Sequence, residues 1–279
     1  MRVYRTTKGV VAHGPTADAW RRFGEMPWDD LFTGRVTCEL LRSRLNAKEG
    51  ELLNELPLAE LLPPIGAQEV WAAGVTYLRS RTARMEESSS SGGSSFYDLV
   101  YNADRPELFF KSTPHRVRGH GQALSLRTDS HWMVPEPEAT LAFNNQGRLI
   151  GYTIGNDLSS RDIEGENPLY LPQAKTFDAC AGLGPGLFLS DAPPPAETAI
   201  DVVIRRNGQN VFAGSTAISQ MKQSFVNLQR YLFHSSSFPN GCYLMTGTGI
   251  VPPNEFTLQP GDEVAITMQP VGTLVNTVK

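Results

Sequence analysis

The sequence of 279 residues is short of cysteine, of long apolar runs and of excess charge of either sign. Its three cysteines, Cys38, Cys180 and Cys242, are widely spaced and form no Cys-x-x-Cys pair. This spacing argues against a disulfide framework and against a thiolate zinc site. We therefore expect a cytoplasmic protein whose thiols are buried or incidental.

The absence of apolar segments and of a basic excess excludes two classes of partner. No apolar run approaches the roughly 20 residues that cross a bilayer, and the start, residues 1–5, lacks the apolar core of a signal peptide. The formal net charge is −4 and no basic stripe is present to neutralise phosphates. We expect neither a membrane nor a nucleic-acid partner.

Glycine and proline are plentiful and indicate many turns, and hence a β-rich body. The chain has 25 glycines and 20 prolines. Asn144-Asn145-Gln146-Gly147 and Asn207-Gly208 each lie between alternating segments and predict β-hairpins. Helices are predicted over residues 77–87 and, capped by Ser224, over Phe225–His234.

A proline pair predicts the boundary between two domains. Leu61–Gly66 contains Pro63-Pro64, which cannot continue a helix and holds the chain extended. We expect residues 1–64 to form a small N-terminal α/β domain, with a helix around Leu40–Leu53, and residues 65–279 to form the main domain. In the latter, Ser88–Ser95 has nothing to bury and is either a plain surface loop or a lid.

Three acidic residues predict a metal site. Glu136 and Glu138 are one residue apart, so on a strand they share a face. Asp157 follows one hairpin later and would return beside them. Three carboxylates without a histidine or thiolate suit Mg²⁺, Mn²⁺ or Ca²⁺ rather than Zn²⁺. The alternative is two exposed strand acids and a turn aspartate.

Six segments, in order over residues 65–279, resemble the fumarylacetoacetate hydrolase family. They are Trp71–Tyr77, Pro106–Lys111, Glu136 with Glu138, Gly151–Asp162, Lys175 with Gly184-Pro185, and Thr246–Pro253. The resemblance implies an α+β, mainly β fold, a mixed β-roll that follows a small N-terminal domain. It also implies one divalent cation on Glu136, Glu138 and Asp157, a 2-oxo or 1,3-dioxo acid as substrate, and a homodimer or dimer-based homotetramer.

A finer resemblance separates elimination from hydrolysis. Ile163–Lys175, with Gly74–Tyr77 and Pro106–Lys111, is similar to the 2-keto-3-deoxy-D-arabinonate dehydratase branch of the family. Hydrolytic members carry a histidine and a glutamate on the helix after the first motif, in a Tyr-x-x-His-x-x-Glu pattern, to activate water. This chain has Ser80 and Ala83 there, and neither side chain can act as a general base. Water attack on a C–C bond is therefore disfavoured unless the lid supplies another base.

Two residues are predicted to transfer protons. Lys175 is the first, because a neighbouring divalent cation favours its neutral form and lets it take or give a proton near neutral pH. A structural ion pair with the acids is the alternative. Glu107 is the second, by its match with the dehydratase branch. Its alternative is a solvated acid at the start of a strand.

Four further residues are predicted to contact the substrate. Lys111 either grips the substrate carboxylate or braces the metal acids. Thr248 lies in a Gly-Thr-Gly turn, where backbone N–H groups and a hydroxyl can meet an anion. Glu164 and Tyr170 either contact sugar hydroxyls or belong to a surface loop.

These expectations combine into a Mg²⁺-dependent hydro-lyase of a 2-keto-3-deoxy sugar acid. A bound 2-oxo acid would lose a C3 proton to give an enolate, and β-elimination of the C4 hydroxyl would lead to 2,5-dioxopentanoate. Three rivals stay open at this stage. They are a hydrolase of a C–C bond in a 2,4-dioxo acid, a decarboxylase of oxaloacetate-like acids, and a metal-bound binding protein for acidic metabolites.

Overall fold

Strands dominate the regular secondary structure of the computed structural model, which describes residues 1–14, 19–87 and 94–279, and their side chains other than those of 87 and 94–96. The strands are β1 Arg2–Thr6, β2 Gly9–His13, β3 Trp20–Phe23, β4 Glu51–Leu53, β5 Glu69–Gly74, β6 Glu107–Ser112, β7 Val117–Arg118, β8 Ala123–Leu124, β9 Met133–Val134, β10 Pro137–Phe143, β11 Leu149–Asp157, β12 Ser159–Ser160, β13 Ala181–Leu189, β14 Ala199–Arg206, β15 Gln209–Ala217, β16 Cys242–Met245, β17 Glu263–Met268 and β18 Gly272–Val278. The α-helices are α1 Cys38–Asn46, α2 Leu78–Glu87, α3 Ser94–Asn102, α4 Arg161–Glu166, α5 Leu171–Lys175 and α6 Phe225–Leu232. None of these helices is long and apolar enough to cross a bilayer.

A large mixed sheet carries the acidic motif at its centre. Its strands follow the order β4-β3-β2-β1-β13-β11-β10-β16-β5-β6, and β7 pairs with β13. β10 and β11 form the predicted hairpin, with Glu138 opposite Gly155. β16 and β5 run parallel, which needs a long connection between them. Because β6 lies beside β5, residues from distant parts of the chain reach the same end of the sheet.

A second sheet of five strands, β15-β14-β17-β18-β8, shares an apolar core with the first. β17 alternates partly and fully buried residues, as a strand with one face on a core does. In β16, Leu244 belongs to this core while Tyr243 and Met245 belong to a second one. Successive strand residues point to opposite faces, so the large sheet is buried on both sides here.

The N-terminal strands continue the large sheet. β1 pairs antiparallel with β13, with Val3 opposite Leu187. The second apolar core contains residues from both sides of the expected boundary, including Val3 and Leu41 as well as Leu183 and Met245. The division into domains 1–64 and 65–279 therefore crosses a continuous sheet, and it stays a prediction.

Most of the predicted local elements are present, and the errors concern their ends. The predicted α+β, mainly β class is confirmed. α6 is capped by the Ser224 side chain, which accepts a hydrogen bond from Asn227 N–H. The helix expected over Leu40–Leu53 ends at Asn46, because the chain then forms β4 beside β3. The expected loop or lid at Ser88–Ser95 falls almost wholly outside the described residues.

Candidate active site

The three predicted metal ligands converge at the ends of β10 and β11. Glu136 precedes β10, Glu138 lies in it, and Asp157 ends β11, where its N–H donates to Glu136 O at 3.0 Å. Each acid offers one carboxylate oxygen, and these oxygens lie within 4.8 Å of one another. All three side chains are buried. Strand alternation and one hairpin thus produce the predicted three-acid cluster.

Two buried lysines neutralise part of this charge. Lys175, at the end of α5, places Nζ 2.7 Å from Glu136 Oε2 and 3.3 Å from Asp157 Oδ2. The same Nζ donates to Ser159 Oγ at 2.6 Å. Lys111, in β6, places Nζ 2.5 Å from Asp157 Oδ1. The lysine predicted to transfer protons therefore lies against two of the three acids.

The charge balance differs among the acids and leaves a place for a cation. Burial raises the pKa of Glu136, but Lys175 and two arginines outweigh it and hold that pKa below its ordinary value. In the described part of the chain no ion pair reaches Glu138, whose Oε2 accepts from Gly247 N–H at 2.5 Å. Burial, then Asp157 and Glu136, raise the pKa of Glu138 well above its ordinary value. A divalent cation among these oxygens would relieve that repulsion, so the donor set fits Mg²⁺, or Mn²⁺ or Ca²⁺.

Glu107 connects the charged cluster with a cavity. It begins β6 opposite Gly74, and its carboxylate occupies the space that a Cβ at position 74 would need. Glycine at 74 therefore makes room for this acid. Burial raises the pKa of Glu107, and Arg84 and Lys175 partly offset the rise. Glu107, Leu108 and other residues line a cavity of about 760 Å³.

The four predicted substrate contacts occupy different settings. Lys111 is fully buried, and its Nζ also donates to the carbonyl oxygens of Leu158 at 2.9 Å and Lys175 at 2.5 Å, which suits a brace for the acids. Thr248 is buried next to Gly247, and its hydroxyl bonds with the backbone of Ile250.

Glu164 and Tyr170 separate in the fold. Glu164 is 1% exposed, whereas Tyr170 is 37% exposed and directly follows Leu169 of the cavity lining. The surface-loop alternative thus fits Tyr170 and not Glu164. The substrate roles of all four residues stay predictions.

Two arginines also reach the site. Arg161 Nη2 lies 2.7 Å and Arg84 Nη2 3.3 Å from Glu136 Oε1. Both guanidinium groups also contact Glu164. Arg161 lies within the recognised motif, but Arg84 lies on α2 among other arginines. Only its burial, which needs the folded structure, distinguishes it from Arg79 and Arg81.

Helix α2 carries Ser80 and Ala83, the two positions at which the resemblance implies a histidine and a glutamate in hydrolytic members. Ser80 is buried, and its Oγ donates to Tyr77 O at 2.8 Å and accepts from Tyr77 N–H at 3.3 Å. Ala83 is also buried. The serine hydroxyl caps the start of its own helix, so neither position supplies a base for water.

Comparison with known proteins finds similar sequences and a similar solved structure. A probable 2-keto-3-deoxyxylonate dehydratase of Haloferax volcanii is 46% identical over 216 residues, which are 77% of this chain and 73% of that protein. A 2-dehydro-3-deoxy-D-arabinonate dehydratase of Saccharolobus solfataricus is 41% identical over 218 residues, again 77% and 73%. A solved 2-keto-3-deoxy-D-arabinonate dehydratase, complexed with magnesium and 2,5-dioxopentanoate, matches 100% of this chain and 99% of its own with a TM-score of 0.83 and 33% identity.

A family model gives the assignment. The model for the C-terminal part of fumarylacetoacetate (FAA) hydrolase matches residues 96–279, a range that contains the three acids, both lysines and Glu107. The fold, the acidic cluster and the relatives all agree with it. The chain belongs to the fumarylacetoacetate hydrolase family.

Proposed function

We propose that this chain is a Mg²⁺-dependent hydro-lyase that removes water from a 2-keto-3-deoxy sugar acid such as 2-keto-3-deoxy-D-arabinonate, giving 2,5-dioxopentanoate. One observation carries the proposal: Lys175 and Glu107 flank the three-acid cluster, while α2 offers Ser80 and Ala83 where a hydrolase needs a base. The names of the two sequence relatives and of the solved structure support the same reaction.

Glu136, Glu138 and Asp157 would hold the cation. When bound, a divalent cation supplies Lewis acidity toward the carboxylate and keto oxygens of a 2-oxo acid and favours the neutral amine of the adjacent Lys175. Lys111 holds Asp157 in place, and Arg84 and Arg161 hold Glu136. The positive charges of these residues also reduce the repulsion among the carboxylates.

Lys175 and Glu107 would divide the proton transfers. Lys175 takes a proton from C3, and Glu107, whose raised pKa favours its protonated form, gives a proton to the C4 hydroxyl as the C4–O bond breaks. One water leaves, and a double bond forms between C3 and C4. Rearrangement of this enone with its C5 hydroxyl gives the aldehyde without further loss of atoms. Lys175 then releases a proton to solvent, and Glu107 regains one from solvent.

The setting and assembly of the protein belong to the same proposal. We infer a cytoplasmic enzyme from its sparse and unpaired cysteines. Membership of the family supports a homodimer or a dimer-based homotetramer. Of the four predicted substrate contacts, Thr248 and Tyr170 remain proposed contacts, with the cavity beside Glu107 as the place for the sugar carbons. Lys111 instead lies against Asp157, and Glu164 lies among protein cations.

Product analysis tests the proposal. The protein is incubated with Mg²⁺ and 2-keto-3-deoxy-D-arabinonate, and separately with a 2,4-dioxo acid and with oxaloacetate, and NMR follows the carbon skeletons. We expect one five-carbon dioxo acid from the first substrate, and no turnover after EDTA treatment. Two acids from the dioxo substrate alone would indicate the hydrolase, CO₂ the decarboxylase, and tight binding without turnover the binding protein. Each of these three results would overturn the proposal.

A further inference from the structure

Glu164 is surrounded by the same cations that hold Glu136. Its buried carboxylate contacts Arg84 Nη1, lies 3.5 Å from Arg161 Nη1 and lies 3.8 Å from Lys175 Nζ. Each of these three cations also contacts Glu136. Two carboxylates and three cations thus form one shared cluster. Glu164 itself is not among the three acids whose oxygens converge.

We propose that Arg84 and Glu164 form an ionic clasp that docks helix α2 onto Glu136 and fixes the direction of its carboxylate. Arg84 directs one guanidinium nitrogen to each carboxylate, Nη2 to Glu136 and Nη1 to Glu164. A planar fork can span two acids in this way, and the single ammonium of a lysine cannot. Both residues are positioning residues, because they act through Glu136.

The clasp links the helix to the proposed chemistry. Arg84 and Arg161 hold Oε1 of Glu136, and Oε2 accepts from Lys175. If Glu136 rotates, the ligand oxygen moves and Lys175 loses its acceptor. Small displacements of this kind cost large factors in rate. Helix α2 follows the motif strand β5 along the chain. Arg84 gives this helix a charged contact with the centre of the large sheet.

This role differs from a substrate contact and from simple charge balance. The charged groups described above against the Glu164 carboxylate are all protein cations, so the clasp deepens the proposed function by giving Glu164 a role other than gripping a sugar hydroxyl. A purely electrostatic Arg84 would repel the metal. Its removal would then tighten metal binding, whereas loss of positioning would weaken it.

Metal affinity measured without substrate separates these possibilities. Arg84→Met, Arg84→Lys, Glu164→Gln and the Arg84→Met/Glu164→Gln double variant are titrated with Mn²⁺, with EPR detection of the free ion. Changes around a ligand cost about 10- to 100-fold, so we expect each single variant to weaken Mn²⁺ binding about tenfold. The double variant should bind Mn²⁺ no more weakly than the single variant with the lower affinity, because the two residues act as a unit.

Turnover and a matched control complete the experiment. At saturating metal, kcat should fall at least tenfold in the three single variants, with KM nearly unchanged, since the substrate is not contacted. Arg81→Met is the control, because Arg81 lies on the same helix but pairs with Asp98, outside the cluster. Its Mn²⁺ affinity should equal that of the unmodified protein.

Three results would overturn the clasp. They are unchanged or tighter Mn²⁺ binding in Arg84→Met, full recovery in Arg84→Lys, and additive losses in the double variant. Glu164→Gln preserves side-chain shape and keeps the test informative if Arg84→Met fails to fold. The clasp rests on the proposed function for its effect on kcat. The Mn²⁺ titration does not depend on substrate, so an incorrect reaction and an incorrect clasp give different outcomes.

Discussion

At the scale of single residues, the site is a buried cluster of acids whose negative charges are partly balanced by neighbouring lysines and arginines. Glu136, Glu138 and Asp157 were predictable from the sequence because strand alternation and one short hairpin are local rules. Lys175 and Glu107 were identified by family resemblance. Arg84 was not, because its partners lie 52 and 80 positions away and nothing local in α2 distinguishes it. Long-range ion pairs are the part of this site that sequence patterns do not encode.

Lys175→Met should separate proton transfer from metal binding. Methionine has a similar length and no proton to exchange, so turnover should fall by about 10²- to 10⁴-fold, the usual contribution of general acid–base catalysis. Mn²⁺ should still bind, because none of the three acids is removed. Steady-state kinetics and Mn²⁺ titration measure the two effects. Lys8→Met, at a surface pair with Glu60, is the control, and near-normal turnover in Lys175→Met would remove Lys175 from the mechanism.

At the scale of secondary-structure elements, local residue patterns predicted the turns better than the ends of helices and strands. Asn207 and Gly208 both adopt positive φ, as the predicted two-residue hairpin requires. The end of α1 and the position of β4 depend instead on pairing with β3, and no local signal gives that pairing. The start of α4 shows how such an end is fixed: Asp162 accepts from Ser130 Oγ and from His131 N–H, both at 2.6 Å.

Asp162→Asn should destabilise the fold in a pH-dependent way. An asparagine amide nitrogen cannot accept from His131 N–H, and we expect a loss of about 1 kcal/mol, since the site is partly exposed. Burial raises the pKa of Asp162, but the hydrogen bonds outweigh it and hold the pKa below 3.8. A carboxyl with a lowered pKa stabilises the fold fully above its ordinary pKa, and this contribution is lost as pH falls through the lowered value.

Urea unfolding followed by tryptophan fluorescence measures this difference. The gap in unfolding free energy between the two proteins should be constant from about pH 6 to 8 and should shrink below about pH 4. A gap that stays constant or grows toward acid would contradict the assigned role of Asp162. Asp191→Asn, at an exposed turn, provides the matched control.

At the scale of the whole molecule, the fold class followed from turns and resemblance, but the topology did not. β1 beside β13 and β16 parallel to β5 are non-local pairings that only the folded chain reveals. The pairing of β1 with β13 also joins the two proposed domains. Tyr243 illustrates the junction: it packs in the second apolar core, and its hydroxyl donates to Pro64 O.

Removal of residues 1–64 tests how separable the two proposed domains are. The fragment 65–279 would expose the edge of β13 and half of an apolar core, so we expect it to aggregate or to unfold well below the full chain. Size-exclusion chromatography and thermal unfolding measure this. Co-expression of residues 1–64 should restore a soluble complex. A fragment that unfolds at the temperature of the full chain would show instead that the domain boundary at residue 64 is also an energetic one.

The central claim is that one divalent cation binds among Glu136, Glu138 and Asp157. Anomalous diffraction from crystals soaked in Mn²⁺ tests it directly, with Glu138→Gln crystals soaked in parallel. We expect a single strong peak bounded by these three carboxylates in the unmodified protein, and its loss in Glu138→Gln. An unmodified site without a peak, or a peak held by other side chains, would contradict the account.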